Sequence, residues 1–274
     1  MPELPEVETI RRQLEREIKG SRFLSLSTSH PKSFQPSFEV VKKNILGRKI
    51  RTVGRRAKLL IFDLAGPKLL LHLKLTGRLL VRKSGEKPDE YTRSVFTLKT
   101  PKGKTLELRF ADSRKFGLVK IVDSDQEMNS ILAEYGPEPF DDLTLIKFVE
   151  VMQKSNRAAK TILLDQKKIS GLGNIYANDA LWLAKTNPRI LGKNLKPGQI
   201  KKLYRAILTV LKRGLKYGGA SDQWYLQVHG EKGKYQEHFL VYGRHGQKCW
   251  RCQETIKRIV VNGRGTFFCP KCQA

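Results

Sequence analysis

Lys58-Leu59-Leu60-Ile61-Phe62-Asp63-Leu64, Ala65-Gly66-Pro67 and Leu69-Leu70-Leu71-His72-Leu73-Lys74 read in order as strand, turn and strand. Both runs are short and apolar, and a Gly-Pro pair breaks the chain between them. That is the pattern of a β-hairpin. It recurs on either side. Arg22–Ser29, Lys49–Arg55, Arg78–Val81, Arg93–Leu98, Thr105–Phe110 and Leu118–Val122 are further strand candidates, with a second turn at Pro101-Lys102-Gly103. Short strands without intervening helices predict an antiparallel sandwich or barrel, not a doubly wound sheet.

A helix precedes them. Val7, Ile10, Leu14 and Ile18 recur at helical spacing, acids crowd the first turn, and Gly20 stands where a C-terminal cap belongs. Its opening, Met1-Pro2-Glu3-Leu4-Pro5-Glu6-Val7-Glu8, has two readings. It is an ordinary helix start, with proline and acids where helices favour them. Alternatively, removal of Met1 exposes the secondary amine of Pro2 beside the Glu3 carboxylate. Such an amine, attacking a sugar carbon, forms an iminium that cannot shed its charge by losing an N–H, and the carboxylate can move protons. The positive end of the helix macrodipole favours the neutral, nucleophilic amine.

From about Asn129 the pattern turns helical, with Gly136-Pro137-Glu138-Pro139 as the break between domains. Helices are expected over Thr144–Lys154, Ala158–Asp165, Asn174–Ala184 and Pro197–Tyr217. The glycine-rich turn Gly171-Leu172-Gly173-Asn174 opens the third of these and would suit a phosphate, although many helix pairs are joined this way. Gly218-Gly219 begins a polar segment through Gln236 that reads as a mobile loop; its Trp224 and Tyr225 fit either a pin to the core or a stacking surface for a base.

The chain has 274 residues with 53 Lys+Arg against 26 Asp+Glu, a formal charge of +27. Self-repulsion of that size points to a polyanionic partner. No apolar run approaches the length of a membrane-spanning helix, and the acidic first turn is unlike a signal peptide. The four cysteines fall in two close pairs, Cys249-x-x-Cys252 and Cys269-x-x-Cys272, the spacing of a structural four-cysteine zinc site in a reducing compartment. Cations surround it, among them Arg264. Two other cationic stretches stand out. Arg55-Arg56-Ala57-Lys58 is either a solvated strand end, a phosphate contact or a source of cations that depress the pKa of a nearby amine. In Asp112-Ser113-Arg114-Lys115-Phe116-Gly117 an aromatic lies between cations and a glycine, either anchoring a turn or forming a wedge between base pairs.

Taken together, Pro2 to Glu8, Arg56-Ala57-Lys58, Asp112-x-Arg114-x-Phe116-Gly117, Gly171-Leu172-Gly173-Asn174-Ile175-Tyr176-Ala177, Val241-Tyr242-Gly243-Arg244 and the four cysteines with Arg264 resemble the bacterial formamidopyrimidine-DNA glycosylases over the whole length. The Leu4-Pro5 opening is similar to the purine-lesion branch of that family, rather than to the endonuclease VIII branch. The resemblance implies an α+β protein: an N-terminal antiparallel β-sandwich with an N-terminal helix (1–135), a helix–two-turns–helix domain with a lesion-capping loop (136–236) and a C-terminal zinc ribbon (237–274), with duplex DNA between domains. It implies Pro2 as Schiff-base nucleophile and Glu3 as general acid/base. Lys58, His72, Asn174 and Arg264 would hold phosphates, Lys58 and Arg264 close to the chemistry, with Tyr242 a further DNA contact. Lys160 would lie near the damaged nucleotide, Phe116 would be the wedge, and Arg114 would fill the space opposite the flipped base. Where family members carry a methionine as plug, this chain has Leu75. The loop Ala220–Leu226 also departs from the hydroxyl-rich form of some members.

The activity so implied is excision of oxidised purines (8-oxoguanine, formamidopyrimidines) from duplex DNA, followed by cleavage at the abasic site through β,δ-elimination. One structural zinc is expected on Cys249, Cys252, Cys269 and Cys272, with no catalytic metal or organic cofactor. The expected partner is double-stranded DNA with damaged bases or abasic sites, met by a monomer in the bacterial cytoplasm, at the nucleoid. Two alternatives stand: a non-catalytic zinc-ribbon nucleic-acid-binding protein, which Pro2-Glu3 alone discriminates against, and a glycosylase for oxidised pyrimidines.

Overall fold

The computed structural model describes residues 1–274. The chain divides into two units, Met1–Leu132 with Tyr217–Lys234, and Ala133–Lys216 with Tyr235–Ala274.

The first unit begins with helix α1 (Leu4–Ile18), whose apolar positions Val7, Ile10, Leu14 and Ile18 are all buried. Then come β1 (Arg22–Thr28), β2 (Phe34–Gln35), α2 (Phe38–Ile45), β3 (Thr52–Arg56), β4 (Leu59–Asp63), β5 (Lys68–His72), β6 (Arg78–Lys83), β7 (Thr92–Lys99), β8 (Thr105–Ala111) and β9 (Leu118–Val122). One sheet has the order β1-β7-β8-β6, the other β2-β9-β5-β4-β3. All neighbours are antiparallel except the two-residue pairing of β2 with β9. Both turns read from the sequence are hairpins, joining β4 to β5 and β7 to β8. A third hairpin, β3 to β4, turns on Ala57-Lys58, with Arg56 opposite Leu59 and Ala57 at φ 53°. Lys58 therefore sits in a tight turn and not on a strand.

Side chains of both sheets meet in one core that includes Phe23, Phe62, Phe96 and Phe110. Burying each such ring stabilises the fold by roughly 1.5–3 kcal/mol. Tyr225 and Val228 join the same core, which explains why residues 217–234, placed in the helical domain by sequence, belong to the first unit. Val81 N donates to Val228 O at 2.8 Å and Val228 N to Gln13 Oε1 at 3.2 Å, so the polar segment is anchored on α1 and β6.

Helix α2 has no counterpart among the elements expected from the sequence. Its signals are local but brief: Ser37 caps it through a bond from Val40 N, and only Val41 and Ile45 are buried. Helix α3 (Asp125–Ala133) starts four residues before the predicted change of pattern at Asn129. The second unit contains α4 (Leu145–Gln153), α5 (Ala159–Leu164), α6 (Asn174–Leu183) and α7 (Pro197–Lys216), followed by the hairpin β10 (Lys257–Val261) and β11 (Arg264–Phe268). Asn262 and Gly263, at φ 47° and 71°, form its two-residue turn, the residue pair a type I′ hairpin demands.

Helices α6 and α7 approach closely at Gly214. A Cβ there would meet the Tyr176 ring and hydroxyl at 2.5 Å. Gly214→Ala should therefore destabilise the helical unit by about 1–3 kcal/mol despite alanine's better helix propensity. A denaturant midpoint at or above that of the parent would show that Tyr176 yields.

Candidate active site and nucleic-acid interface

The N-terminus is fixed by carboxylates. Glu3 caps α1 in a reciprocal capping box, with Glu3 N donating to Glu6 Oε2 at 2.8 Å. The other Glu6 oxygen accepts from Ala220 N at 2.8 Å. Both acids are buried, as is Pro2, whereas Met1 is 51% exposed. A secondary amine released at Pro2 would thus lie at the positive end of a 15-residue helix, with the Glu3 carboxylate adjoining it in sequence.

One turn along α1, Glu8 pairs with Arg11, Arg12 and Arg55 at 3.0, 2.7 and 3.0 Å. Burial opposes its ionisation, but the three guanidinium groups hold its carboxyl down at about 2. Arg55 also donates to Ala57 O at 2.7 Å, so the turn carrying Lys58 is tied to α1. Lys58 is only 4% exposed. His72, opposite Leu59 in the next hairpin, lies close enough to Lys58 to feel its charge. Burial first, then Lys74 and Lys58, push the His72 imidazole down to about 3. Its Nδ1 accepts from Lys74 N at 2.9 Å, so the proton of the neutral ring lies on Nε2, where it can donate to an anion.

Asp112 organises the next two loops. Its Oδ1 accepts from the Thr76 hydroxyl and, at 3.2 Å, from Arg114 N; Oδ2 accepts from Gly117 N at 2.7 Å. The turn bearing Leu75 is thereby locked to the loop bearing Arg114 and Phe116. Glycine is required at both Gly77 and Gly117, since a Cβ would overlap Leu73 O at the first and the Phe110 ring at the second. Leu75 is half-buried; Phe116 is 52% exposed, and the Arg114 guanidinium lies 4.8 Å from its ring centroid.

In the second unit, Asn174 starts α6 after Gly171 (φ 88°), and Gln166 secures the turn by accepting from Gly171 N and donating to Leu172 O. Asn174 Nδ2 donates to Gly265 O at 3.1 Å, which brings it beside Arg264 at the hairpin tip. Lys160 is fully buried, its Nζ donating to Gly265 O and Thr266 Oγ1 at 2.8 Å each. In this arrangement it braces the hairpin that presents Arg264. Tyr242 packs edge-on between Phe239 and Phe267. Its backbone is held by Asp179, fully buried on α6, which accepts from Leu240, Val241 and Tyr242 N–H groups and the Tyr235 hydroxyl. Burial raises the Asp179 carboxyl above its ordinary range, although these four donors work against it. Nothing local in the sequence marks Asp179 as a clamp, or Asp112 as the link to Thr76, because these partners are distant.

The four sulfurs of Cys249, Cys252, Cys269 and Cys272 lie within 4.8 Å of one another. Separations of 3.4–3.9 Å fit the edge of a tetrahedron with Zn–S bonds of about 2.3 Å and are far too long for a disulfide. Burial and then the neighbouring sulfurs push the Cys272 thiol up to about 12, a cost that a bound cation would relieve. Trp182 Nε1 donates to Cys249 Sγ at 3.4 Å, orienting a ligand from outside the set.

A sandwich, a helical unit and a cysteine-cornered hairpin together define a zinc-finger DNA-binding protein of the α+β class. Family models described as formamidopyrimidine-DNA glycosylase N-terminal domain, formamidopyrimidine-DNA glycosylase H2TH domain and zinc finger found in FPG and IleRS match residues 1–119, 135–225 and 246–274. The chain belongs to the formamidopyrimidine-DNA glycosylase family. It is 43% identical to the formamidopyrimidine-DNA glycosylase of Chloroflexus aurantiacus over 276 residues (100% of this chain, 98% of the relative), and 38% identical to that of Lactococcus lactis subsp. lactis over 279 residues (100% and 99%). Among solved structures it resembles a mutant of the Lactococcus lactis protein in complex with Fapy-dG-containing DNA and the Lactococcus lactis protein in complex with abasic-site DNA, each with a TM-score of 0.92 and 36% identity over 99% of both chains.

His72 and the cysteine cluster each admit a direct test. An ordinary histidine takes up a proton near pH 6.5, but folded His72 does so only at about pH 3. Unfolding therefore binds a proton between these values, and stability falls as pH drops through that window. Urea midpoints at about pH 7 and pH 4.5 should show a shallower acid loss in His72→Gln; an identical loss would mean that the ring titrates normally. For the cysteine cluster, Cys252→Ser should lose zinc and DNA affinity while the sandwich stays folded, since small zinc modules fold on their metal. Normal DNA binding by a zinc-free variant would overturn this.

Proposed function

We propose that the chain is a bifunctional base-excision DNA glycosylase and abasic-site lyase acting on oxidised purines in duplex DNA. The observation that carries the reading is the buried Pro2-Glu3 opening at the head of α1, in a chain that belongs to this family. After Met1 is removed, the Pro2 nitrogen attacks the anomeric carbon of the extruded nucleotide and the base departs. Glu3 protonates the ring oxygen as the sugar opens. The resulting iminium acidifies the adjacent C–H, and successive eliminations of the flanking phosphates leave a single-nucleotide gap. Lys58, His72, Asn174, Arg264 and Tyr242 hold the backbone, His72 as a neutral donor. Phe116 wedges into the stack, Leu75 fills the vacated space, and Arg114 meets the orphaned base with a donor-only fork that suits the two acceptors of cytosine better than adenine. Lys160 acts near the damaged nucleotide through the Arg264 hairpin. One zinc on the four cysteines is structural, and no metal or organic cofactor takes part in the chemistry. The protein acts as a monomer in the bacterial cytoplasm.

A second reading concerns substrate range. A solved Lactococcus lactis relative is a complex with DNA containing an oxidised pyrimidine, and the Leu75 and Ala220–Leu226 departures lie where lesion choice would be made. Excision rates on purine and pyrimidine lesions separate the two. The chemistry is tested by borohydride. Protein processed to Pro2 should be trapped covalently on lesion-bearing duplex, whereas protein retaining Met1, whose proline nitrogen is an inert amide, should bind but not trap. Equal trapping by both forms would move the nucleophile elsewhere.

A further inference from the structure

The loop 219–226 is tethered at its base and docked at its tip, and the docking joins it to both loops that Asp112 locks together. At the base, Ala220 N donates to Glu6, Ser221 Oγ donates to Tyr225 O at 2.8 Å, Gly233 N donates to Ser221 Oγ at 2.9 Å, and the buried Tyr225 hydroxyl donates to Gly218 O at 3.0 Å. Gly219, at φ 86°, lies so near Glu6 and Tyr225 that a Cβ would meet each at 2.9 Å. At the tip, Asp222 and Gln223 are exposed, but Trp224 is seated. The Arg78 guanidinium lies 5.0 Å from its ring centroid, Arg78 Nε donates to Trp224 O, and Tyr91 meets the indole edge-on at 5.7 Å.

Both seats lead elsewhere in the unit. Arg78 directly follows the Thr76-Gly77 end of the turn that carries Leu75. Tyr91 O accepts from Asp112 N at 2.8 Å, and Asp112 holds the loop of Arg114 and Phe116. An exposed tryptophan needs a reason to stay in one place. A cation over the ring and an edge-on aromatic each give a modest preference, and a backbone hydrogen bond adds direction.

We propose that Trp224, clasped by Arg78 and Tyr91, is a positioning residue that sets where the 219–226 loop meets an extruded base, and so determines which lesions are excised. The assignment rests on the glycosylase reading above. An abasic site has no base for the loop to meet, so its cleavage does not depend on the clasp. Excision of an intact damaged base does, and by an amount that differs between lesions of different shape. Trp224→Phe keeps an aromatic for Arg78 and Tyr91, while Trp224→Ala removes it.

The test compares the parent, Trp224→Ala, Trp224→Phe and Arg78→Ala on matched duplexes carrying 8-oxoguanine, a formamidopyrimidine, an oxidised pyrimidine or a preformed abasic site. Trp224→Ala and Arg78→Ala should change the ratio of excision rates among the three lesions about five- to tenfold, the scale expected from losing a cation–aromatic contact and an aromatic pair. Trp224→Phe should restore most of the parental ratio. Borohydride trapping on the abasic duplex should stay within about twofold of the parent in all variants. Unchanged lesion ratios in Trp224→Ala would overturn the assignment, and so would a parallel fall on every substrate including the abasic site, which would make the clasp a support of the fold. A parent that traps no abasic duplex would overturn the lyase reading itself, and the assignment with it.

Discussion

A buried carboxylate that collects backbone N–H groups is the interaction that anchors the N-terminal opening, the Arg114–Phe116 loop and the approach to the zinc module. Glu6 joins Glu3 N to Ala220 N, Asp112 joins Arg114 N to Gly117 N, and Asp179 gathers three consecutive amides ahead of the zinc module. An acid is well suited to this work. It accepts several bonds at once, and bonds to an ionised acceptor are about twice as strong as neutral ones. Losing such an acceptor would orphan several buried donors together, at about 1–3 kcal/mol each.

The same device reconciles the architecture with its charge. With 26 acids against 53 bases, a chain that placed its acids in surface pairs would blunt the field that draws in a polyanion. Here several acids lie inside as anchors, while Arg114, Lys115, Lys74 and Arg264 are exposed. Lys160 is the inverse case. It is a buried cation whose two 2.8 Å bonds to Gly265 O and Thr266 Oγ1 turn a charge inward to steady the strand that carries an outward one. Neutral His72 fits the same division. Among Lys58 and Lys74, an imidazolium would add repulsion where a single N–H donor suffices.

This division also explains what could be read from the sequence. Strands, hairpin turns and long helices are legible because apolar periodicity and Gly/Pro punctuation are local. The cysteine pairs are legible because a metal site fixes its ligand spacing. Helix α2 escapes notice because two buried residues in an eight-residue segment make a faint stripe. Segment 217–234 reads as part of the helical domain because its polar composition hides Val228, and because Tyr225, legible as a pin to a core, carries no local sign that the core is that of the sandwich. Asp179 is invisible as a clamp because its partners are remote along the chain, reaching forward 63 positions to Tyr242. Asp112 binds the nearby amides of Arg114 and Gly117, but its link to the Leu75 turn reaches back 36 positions to Thr76 and leaves no local mark.

The Leu75 departure gains meaning from these clamps. Methionine can shape itself to a void, whereas leucine has fewer rotamers and must be brought to the right place by its backbone. The backbone here is unusually constrained. Lys74 is left-handed at φ 52°, its N–H is bound to His72 Nδ1, Thr76 is tied to Asp112, and Gly77 is pressed against Leu73 O. A stiff side chain on a stiff turn adapts less to its surroundings than a flexible one does. Because His72, Leu75 and Arg78 share this one stretch, the His72 ring, the Leu75 side chain and the seat of Trp224 cannot shift independently. Exchanging Leu75 for methionine would leave the constraints on the turn in force, because they act on its backbone and not on that side chain.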